Sequence, residues 1–174
     1  MVLEVAGANG PDAEAFNPSD TPIRVVEDGL DGFSGGSAFN ATVDCTIDTS
    51  QGVIYAGGGG APSTKSIADS SSTPLHVSGG NGGSGGQGYI GGAGGAGGTA
   101  SIESSISDTG PNGAGGSRQA PGTLGGISGG AWGESSGFNS ESGDAGLAGF
   151  AIRSNGNSVT IIGDNDLTIK GRRD

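Results

Sequence analysis

The sequence predicts an irregular/β fold: a bundle or sandwich of polyglycine II helices (the polyproline II geometry) with flanking short β-strands and little or no α-helix. Three observations carry that prediction. First, the run GGNGGSGGQGYIGGAGGAGG places glycine at 79, 82, 85, 88, 91, 94 and 97, with a second glycine column beside it broken only at Tyr89. Period three belongs to neither the α-helix nor the strand, but to a left-handed helix with about three residues per turn and no internal hydrogen bonds. A Gly-Gly-X repeat leaves two faces of that helix bare, so neighbouring backbones can approach and pair their N–H and C=O groups. Second, glycine blocks recur at 110–116, 122–130 and 143–149, separated by non-repetitive segments at 61–78, 99–109, 117–121 and 131–142. Third, the whole array is bracketed by stretches that read as ordinary strands.

Composition alone describes a disordered chain. Glycine supplies 41 of 174 residues and the net charge is −11, a combination poor in burial and rich in repulsion. Fixing a backbone costs ~1–2 kcal/mol per residue, glycine most of all, whereas each interhelix hydrogen bond returns roughly 0.5–1.5 kcal/mol. One such helix cannot hold itself together, but a bundle of several can. A flexible linker would show no alternation of regular blocks with irregular segments. Collagen is excluded by only seven prolines, and calcium-binding nonapeptide repeats by the absence of aspartate from Gly79 to Gly98.

Taken in order, the first sixteen residues read as a loop or partner-attachment segment. Thr21 to Glu27 is a short strand closed by Asp28-Gly29. Phe39 to Ile47 sets Phe39, Ala41, Val43, Cys45 and Ile47 against Asn40, Thr42, Asp44 and Thr46, the alternation of a half-buried strand. A turn over Asp48 to Gly52 precedes the strand Val53-Ile54-Tyr55, which feeds Gly57 to Gly60. Tyr89 marks a reversal, because an unbroken helix of about twenty residues at ~3.1 Å each would span ~60 Å. At the C-terminus, Phe150 to Arg153, Ser158 to Ile162 and Asp166 to Lys170 read as strands, separated by Asn155-Gly156 and Gly163-Asp164-Asn165 as hairpin-type turns. The expected organisation is therefore an N-terminal β subdomain or attachment region over 1–56, the glycine scaffold with inserted recognition loops over 57–149, and a C-terminal β segment over 150–174.

Several function classes fall away. No stretch approaches the ~20 apolar residues of a membrane-spanning helix, and no signal peptide opens the chain. The acidic balance argues against nucleic acid as a partner. Cys45 is alone, so no internal disulfide forms. Among the carboxylates, Glu103, Asp108, Glu134, Glu141 and Asp144 are the candidates for an acid–base pair, but the sequence offers little apolar wall to shield one of them. A single histidine, His76, supports no nucleophile–base constellation. The chain reads as a non-enzyme that needs no metal and no cofactor.

The order of motifs carries a resemblance. Val43-Asp44-Cys45-Thr46-Ile47-Asp48-Thr49-Ser50-Gln51-Gly52-Val53-Ile54-Tyr55-Ala56, running into Gly57 to Gly60, resembles the glycine-rich C-terminal region of tail-tip host-specificity proteins of lambda-like phages. The ending Ala148-Gly149-Phe150-Ala151-Ile152 followed by Asn157-Ser158-Val159-Thr160-Ile161 is similar to theirs. The alternation of glycine motifs with irregular loops resembles the fibre-tip adhesins of T-even-type phages, over roughly residues 40 to 170. That resemblance implies a virion protein at the distal end of the tail or tail fibre. Its loops would recognise a bacterial outer-membrane protein of porin type or lipopolysaccharide, and its other partner would be the rest of the tail or fibre. Both a homotrimer and a single copy on a fibre tip fit. Glycine-rich bacterial surface proteins and antifreeze-type polyproline II bundles share the repeat and stand as alternatives.

If loops on a rigid scaffold carry recognition, the candidate receptor-binding residues are Lys65 and His76 in the first loop, Tyr89 at the reversal, Arg118 in the third loop, and Trp132, Phe138 and Asn139 in the last. Trp132 has two readings, an exposed hot spot for protein or sugar or a plug at the scaffold's end. His76 invites a metal reading on a trimer axis, but a lone histidine is usually structural or exposed.

Overall fold

The computed structural model describes residues 2–13, 24–69, 76–102, 106–124, 127–140 and 142–174. Among these there are no helices of the α type; short strands alternate with extended glycine rods. Within a rod nothing bonds internally, and partners lie on neighbouring rods at three-residue intervals. The amides of Gly58, Ala61 and Thr64 donate to the carbonyls of Gln87, Ser84 and Asn81. Those of Gly92, Gly95 and Gly98 donate to Gly86, Gly83 and Gly80. The spacing is the period that the glycine columns predict, and the antiparallel pairing of 79–88 with 91–98 puts the reversal at Tyr89.

Two rods are surrounded. The 56–64 rod exchanges backbone hydrogen bonds with residues 8, 30–36, 81–87, 130–134 and 143–149, and the 79–88 rod with 8–11, 58–64, 92–98, 111–117, 122 and 130. Glycine is required there by proximity. A Cβ on Gly58 would stand 1.9 Å from the Gly130 carbonyl oxygen, and one on Gly85 would stand 1.9 Å from that of Gly92. The X positions of the repeat divide by layer: Ser84 and Gln87 are buried between rods, whereas Ala93 and Ala96 face out.

Rods also form outside the expected scaffold bounds. Gly7, Gly10 and Ala13 donate to Ile90, Ala93 and Ala96, and Gly32 and Gly35 donate to Asp144 and Leu147. Residues 5–13, expected as a loop, are thus a rod of the bundle, and so are residues 29–37. The reason is geometric. A peripheral rod presents only one face to the bundle, so one glycine per turn is enough, as at Gly29, Gly32 and Gly35.

The strands at one end close a small parallel solenoid. β3 (Phe39–Asn40), β4 (Cys45–Asp48) and β5 (Val53–Tyr55) form the three sides of one coil. β12 (Phe150–Arg153), β13 (Val159–Ile162) and β14 (Ile169–Lys170) form the next. They pair in parallel, Ile152 beside Phe39, Val159–Ile162 beside Cys45–Asp48, and Ile169 beside Ile54. β1 (Val2–Glu4) extends the third side beyond β5, and β15 (Arg172–Arg173) extends the first side beyond β12. Ile47, Ile54, Ala56, Ala151, Ile152 and Ile169 fill the centre.

This arrangement corrects three expectations. The turns at Asn155-Gly156 and Gly163 are corners of the solenoid and not hairpins, because β12, β13 and β14 bond to the earlier coil and not to one another. Their positive φ values (52° at Asn155, 82° at Gly156, 79° at Gly163) serve a corner as well as a hairpin. The single strand Phe39 to Ile47 is two strands around another corner, and Val43 there is exposed. Of Asp166 to Lys170, only Ile169–Lys170 pairs as strand. The N-terminal strand is Arg24–Glu27, with Thr21 to Ile23 outside the described residues.

Candidate functional site

The rods run side by side, so their connections gather at two opposite ends. Mutual hydrogen bonds place residues 13, 30, 64, 81, 98 and 111 at one end and residues 5, 36, 57, 88 and 117 at the other. At ~3.1 Å per residue the ends are about 25 Å apart. The solenoid occupies the second end. The first carries loops.

The loop end is a set of short antiparallel strands standing on the rods. β2 (Arg24–Glu27), β6 (Ser66–Asp69) and β7 (His76–Ser78) form one sheet, with Asp69 opposite His76. β8 (Thr99–Ile102) and β9 (Ile106–Thr109) form a hairpin tied by a 2.8 Å bond between the Thr99 and Thr109 hydroxyls. β10 (Thr123–Leu124) and β11 (Ile127–Ser128) form a second one. A fourth projection is the 138–142 turn, in which the Asn139 amide donates to Ser142 Oγ at 3.0 Å.

Side chains anchor these loops to the rods. Ser66 Oγ accepts from the Gly80 amide at 2.9 Å, Thr64 Oγ1 from Asn81 at 2.8 Å, and Asp108 Oδ2 from Gly79 at 3.0 Å. Ser63 Oγ accepts from Leu30 at 2.8 Å and Asp31 Oδ1 from Asp144 at 2.7 Å. Each bond satisfies a backbone donor where rod geometry ends, so the loop roots are fixed. Between the 26–31 and 140–144 segments lies an open cleft of about 430 Å³ lined by Asp28, Asp31, Lys65, Ser142 and Asp144.

The structure divides the sequence-predicted residues between the two ends. Lys65, His76, Phe138 and Asn139 lie at the loop end, with Phe138 68% exposed. Tyr89, Arg118 and Trp132 lie at the solenoid end. Arg118 forms a two-point ion pair with Glu4 at 2.7 and 3.0 Å and sits 5.8 Å from the centre of the Tyr89 ring. The hydrogen bonds it donates to the Glu4 carboxylate hold the guanidinium pKa above its ordinary value. Trp132 is 9% exposed, packs 5.6 Å from the Tyr55 ring, and donates its backbone N–H to Gln87 Oε1. Of its two readings, the plug at the scaffold's end is the one that fits. Gln87 is the residue that sequence reasoning missed: its Nε2 donates to the Arg118 carbonyl at 2.9 Å, so one buried amide joins both turns. The signal was its place in the X column of a surrounded rod. Asp28 and Asp31 read locally as turn residues, although glycine at 29 and 32 marks the same period. Glu103 and Glu141 fall outside the described residues.

A profile of the family described as phage tail fibre adhesin Gp38 matches residues 4–173. The chain belongs to the Gp38 family of phage tail fibre adhesins. It is accordingly a virion component of the distal tail fibre. The fold is similar to the crystal structure of the gp37–gp38 adhesin tip complex of the bacteriophage S16 long tail fibre. That match has a TM-score of 0.53 and 24% identity, covering 93% of this chain and 55% of that one. The chain thus spans about half the length of the solved relative. No curated protein sequence matches the adhesin.

Proposed function

We propose that this chain is a receptor-binding head that attaches a virion to a bacterial outer-membrane protein or lipopolysaccharide through the loops at the end remote from the solenoid. One observation carries the reading: the exposed side chains of His76, Ser107, Asp108, Thr109, Phe138 and Asn139, with the half-buried Lys65, are collected at one end of a rigid glycine platform. Lys65, His76, Phe138 and Asn139 supply the contacts there. Phe138 is the apolar anchor and the Asp28–Asp31–Asp144 cleft is the polar neighbour. The solenoid end faces the rest of the fibre, where β3 and β4 each have a strand neighbour on one side only among the described residues. Attachment is by binding, with no chemistry of the head's own.

The test is binding of the fluorescently labelled chain to a panel of Gram-negative strains, alongside Phe138→Ala and an exchange of residues 138–142. Saturable binding to a narrow set of strains, lost or redirected by the exchange, is the expected result. Binding that ignores both changes would move recognition away from this end.

A further inference from the structure

An open cleft lies at the solenoid end, about 25 Å by rod length from the loops. It measures about 620 Å³ and is lined by Trp132, Glu134, Asp164, Asp166, Lys170 and Arg173 among others. We infer that this cleft is a second binding site, for a saccharide ring that carries little net charge.

The walls are fixed before any ligand arrives. The Gly133 amide donates to the Ala56 carbonyl at 2.9 Å, which pins the Trp132 turn to the central rod. Tyr55 packs against Trp132, donates its hydroxyl to the Leu167 carbonyl at 2.7 Å, and carries the Lys170 ammonium 5.2 Å from its ring centre. Asn165 Oδ1 accepts from the amides of Leu167 and Thr168, which shapes the opposite rim, and Arg173 Nη1 holds Asp164 Oδ2 at 2.6 Å. Sites built on supported side chains lose little entropy on binding.

The chemistry of the lining selects the ligand class. Asp164 and Arg173 occupy each other, whereas the exposed carboxylates of Glu134 and Asp166 accept no hydrogen bond from any described residue. Lys170 contributes an ammonium held over a ring. Three carboxylates against two cations leave the cleft close to balance, so it favours neither a polyanion nor a polycation. Two carboxylates accept from hydroxyls, the ammonium donates to them, and the part of Trp132 that lines the cleft offers an apolar contact for C–H groups. A polyhydroxylated ring meets all three demands. The site stands apart from the receptor-contacting loops and shares the solenoid end with the proposed fibre attachment, on the flank between the Trp132 turn and the 164–171 segment.

Trp132 is the only tryptophan, so its emission reports on the cleft directly. The experiment titrates the full chain with methyl glycosides of glucose, galactose, N-acetylglucosamine and a heptose. A separate arm uses lipopolysaccharide core oligosaccharide, with saturation-transfer NMR as a second readout. At least one glycoside should give a saturable emission change at millimolar concentration, weakened at least fivefold by Glu134→Gln or Asp166→Asn and untouched by Phe138→Ala. A response to the core oligosaccharide alone, with the same variant dependence, would locate the ligand in a larger glycan and sustain the proposal. No saturable response from either readout, or a response indifferent to both carboxylate changes, would overturn it. Both variants alter exposed side chains, so their thermal transitions should match that of the parent.

Discussion

Substituting alanine for Gly59 separates glycine needed for contact from glycine that is merely present. An added Cβ at 59 would lie 2.0 Å from the Gly146 carbonyl oxygen and 2.5 Å from its carbon, where ordinary contact begins near 3.4 Å. The 56–64 and 143–149 rods would have to part by more than an ångström. The bonds at risk run from Gly59 to Glu134 at 3.1 Å, from Gly130 to Gly59 at 2.7 Å, and from Ser136 to Gly146 at 2.9 Å. At roughly 0.5–1.5 kcal/mol each, offset by about 0.4–1 kcal/mol from the stiffer unfolded chain, the net loss is about 0.5–4 kcal/mol, centred on ~2 kcal/mol. For a chain of this length that central value lowers Tm by about 4–8 °C. Gly115 is the matched control. It is exposed, and a Cβ there would meet only the Gly92 carbonyl oxygen, at 3.7 Å. Gly115→Ala should therefore keep only the unfolded-state gain and leave Tm level or raise it by a few degrees, about 1–4 °C. The assay is thermal unfolding of both variants followed by circular dichroism. Equal Tm values for the two would refute close rod packing as the reason for glycine in the central rods.

Trp132→Ala should cost about 3–5 kcal/mol, as for a buried aromatic, measured by denaturant unfolding. If it removed cell binding at unchanged stability, the plug reading would fail. Asp164 has its pKa lowered by the hydrogen bond from Arg173. The contribution of this pair is therefore complete above the ordinary carboxylate value of ~3.9 and is lost as pH falls through the lower folded value. Asp164→Asn should consequently lower Tm at pH 6 and converge with the parent in strong acid, read from Tm against pH. Asn155 combines a φ of 52° with a 3.0 Å bond from its Nδ2 to the Ala41 carbonyl. Asn155→Gly should lose the bond alone, about 1 kcal/mol, and Asn155→Ala should lose the bond and add about 1–2 kcal/mol of left-handed strain. Equal losses by denaturant unfolding would contradict the corner geometry.

What was legible at the candidate site followed from what each residue can do locally. Phe138, between polar residues with no apolar neighbour in sequence, has nothing to pack on and emerges exposed. Trp132 was ambiguous because its partner Tyr55 lies 77 positions away in the chain. No local pattern told which connections share an end. Along the sequence, loop one, the Tyr89 turn, loop two, the Arg118 turn, the β10–β11 hairpin, the Trp132 turn and the 138–142 projection alternate, and the rods between them send loops and turns opposite ways. Counting rods would have made that separation: each rod crossed carries the chain to the other end.

The number of glycine columns in a rod measures how many of its faces are enclosed. The 57–60 run has glycine at every position and is surrounded, while 79–88 keeps two columns and buries its third, at Ser84 and Gln87. The 29–37 rod has glycine at 29, 32 and 35 and leaves Leu30 and Phe33 exposed, at 43% and 57%. The 5–13 rod, with Gly7 and Gly10 only, turns its other side chains to use: Asn9 Oδ1 and Asp12 Oδ1 accept from the amides of Ala93 and Ala96, three residues apart on both rods. A single column amid ordinary residues looks like turn sequence, which is why these two rods escape a search for glycine runs. The solenoid is hidden for a related reason. Its coils come from 39–55 and 150–170, and the corner residues Asn155, Gly156 and Gly163 are those a hairpin would also choose. Local chemistry specifies that the chain bends there. Which strand lies beside which is settled by the rods, because the 29–37 and 143–149 rods run parallel and deliver β3 and β12 side by side.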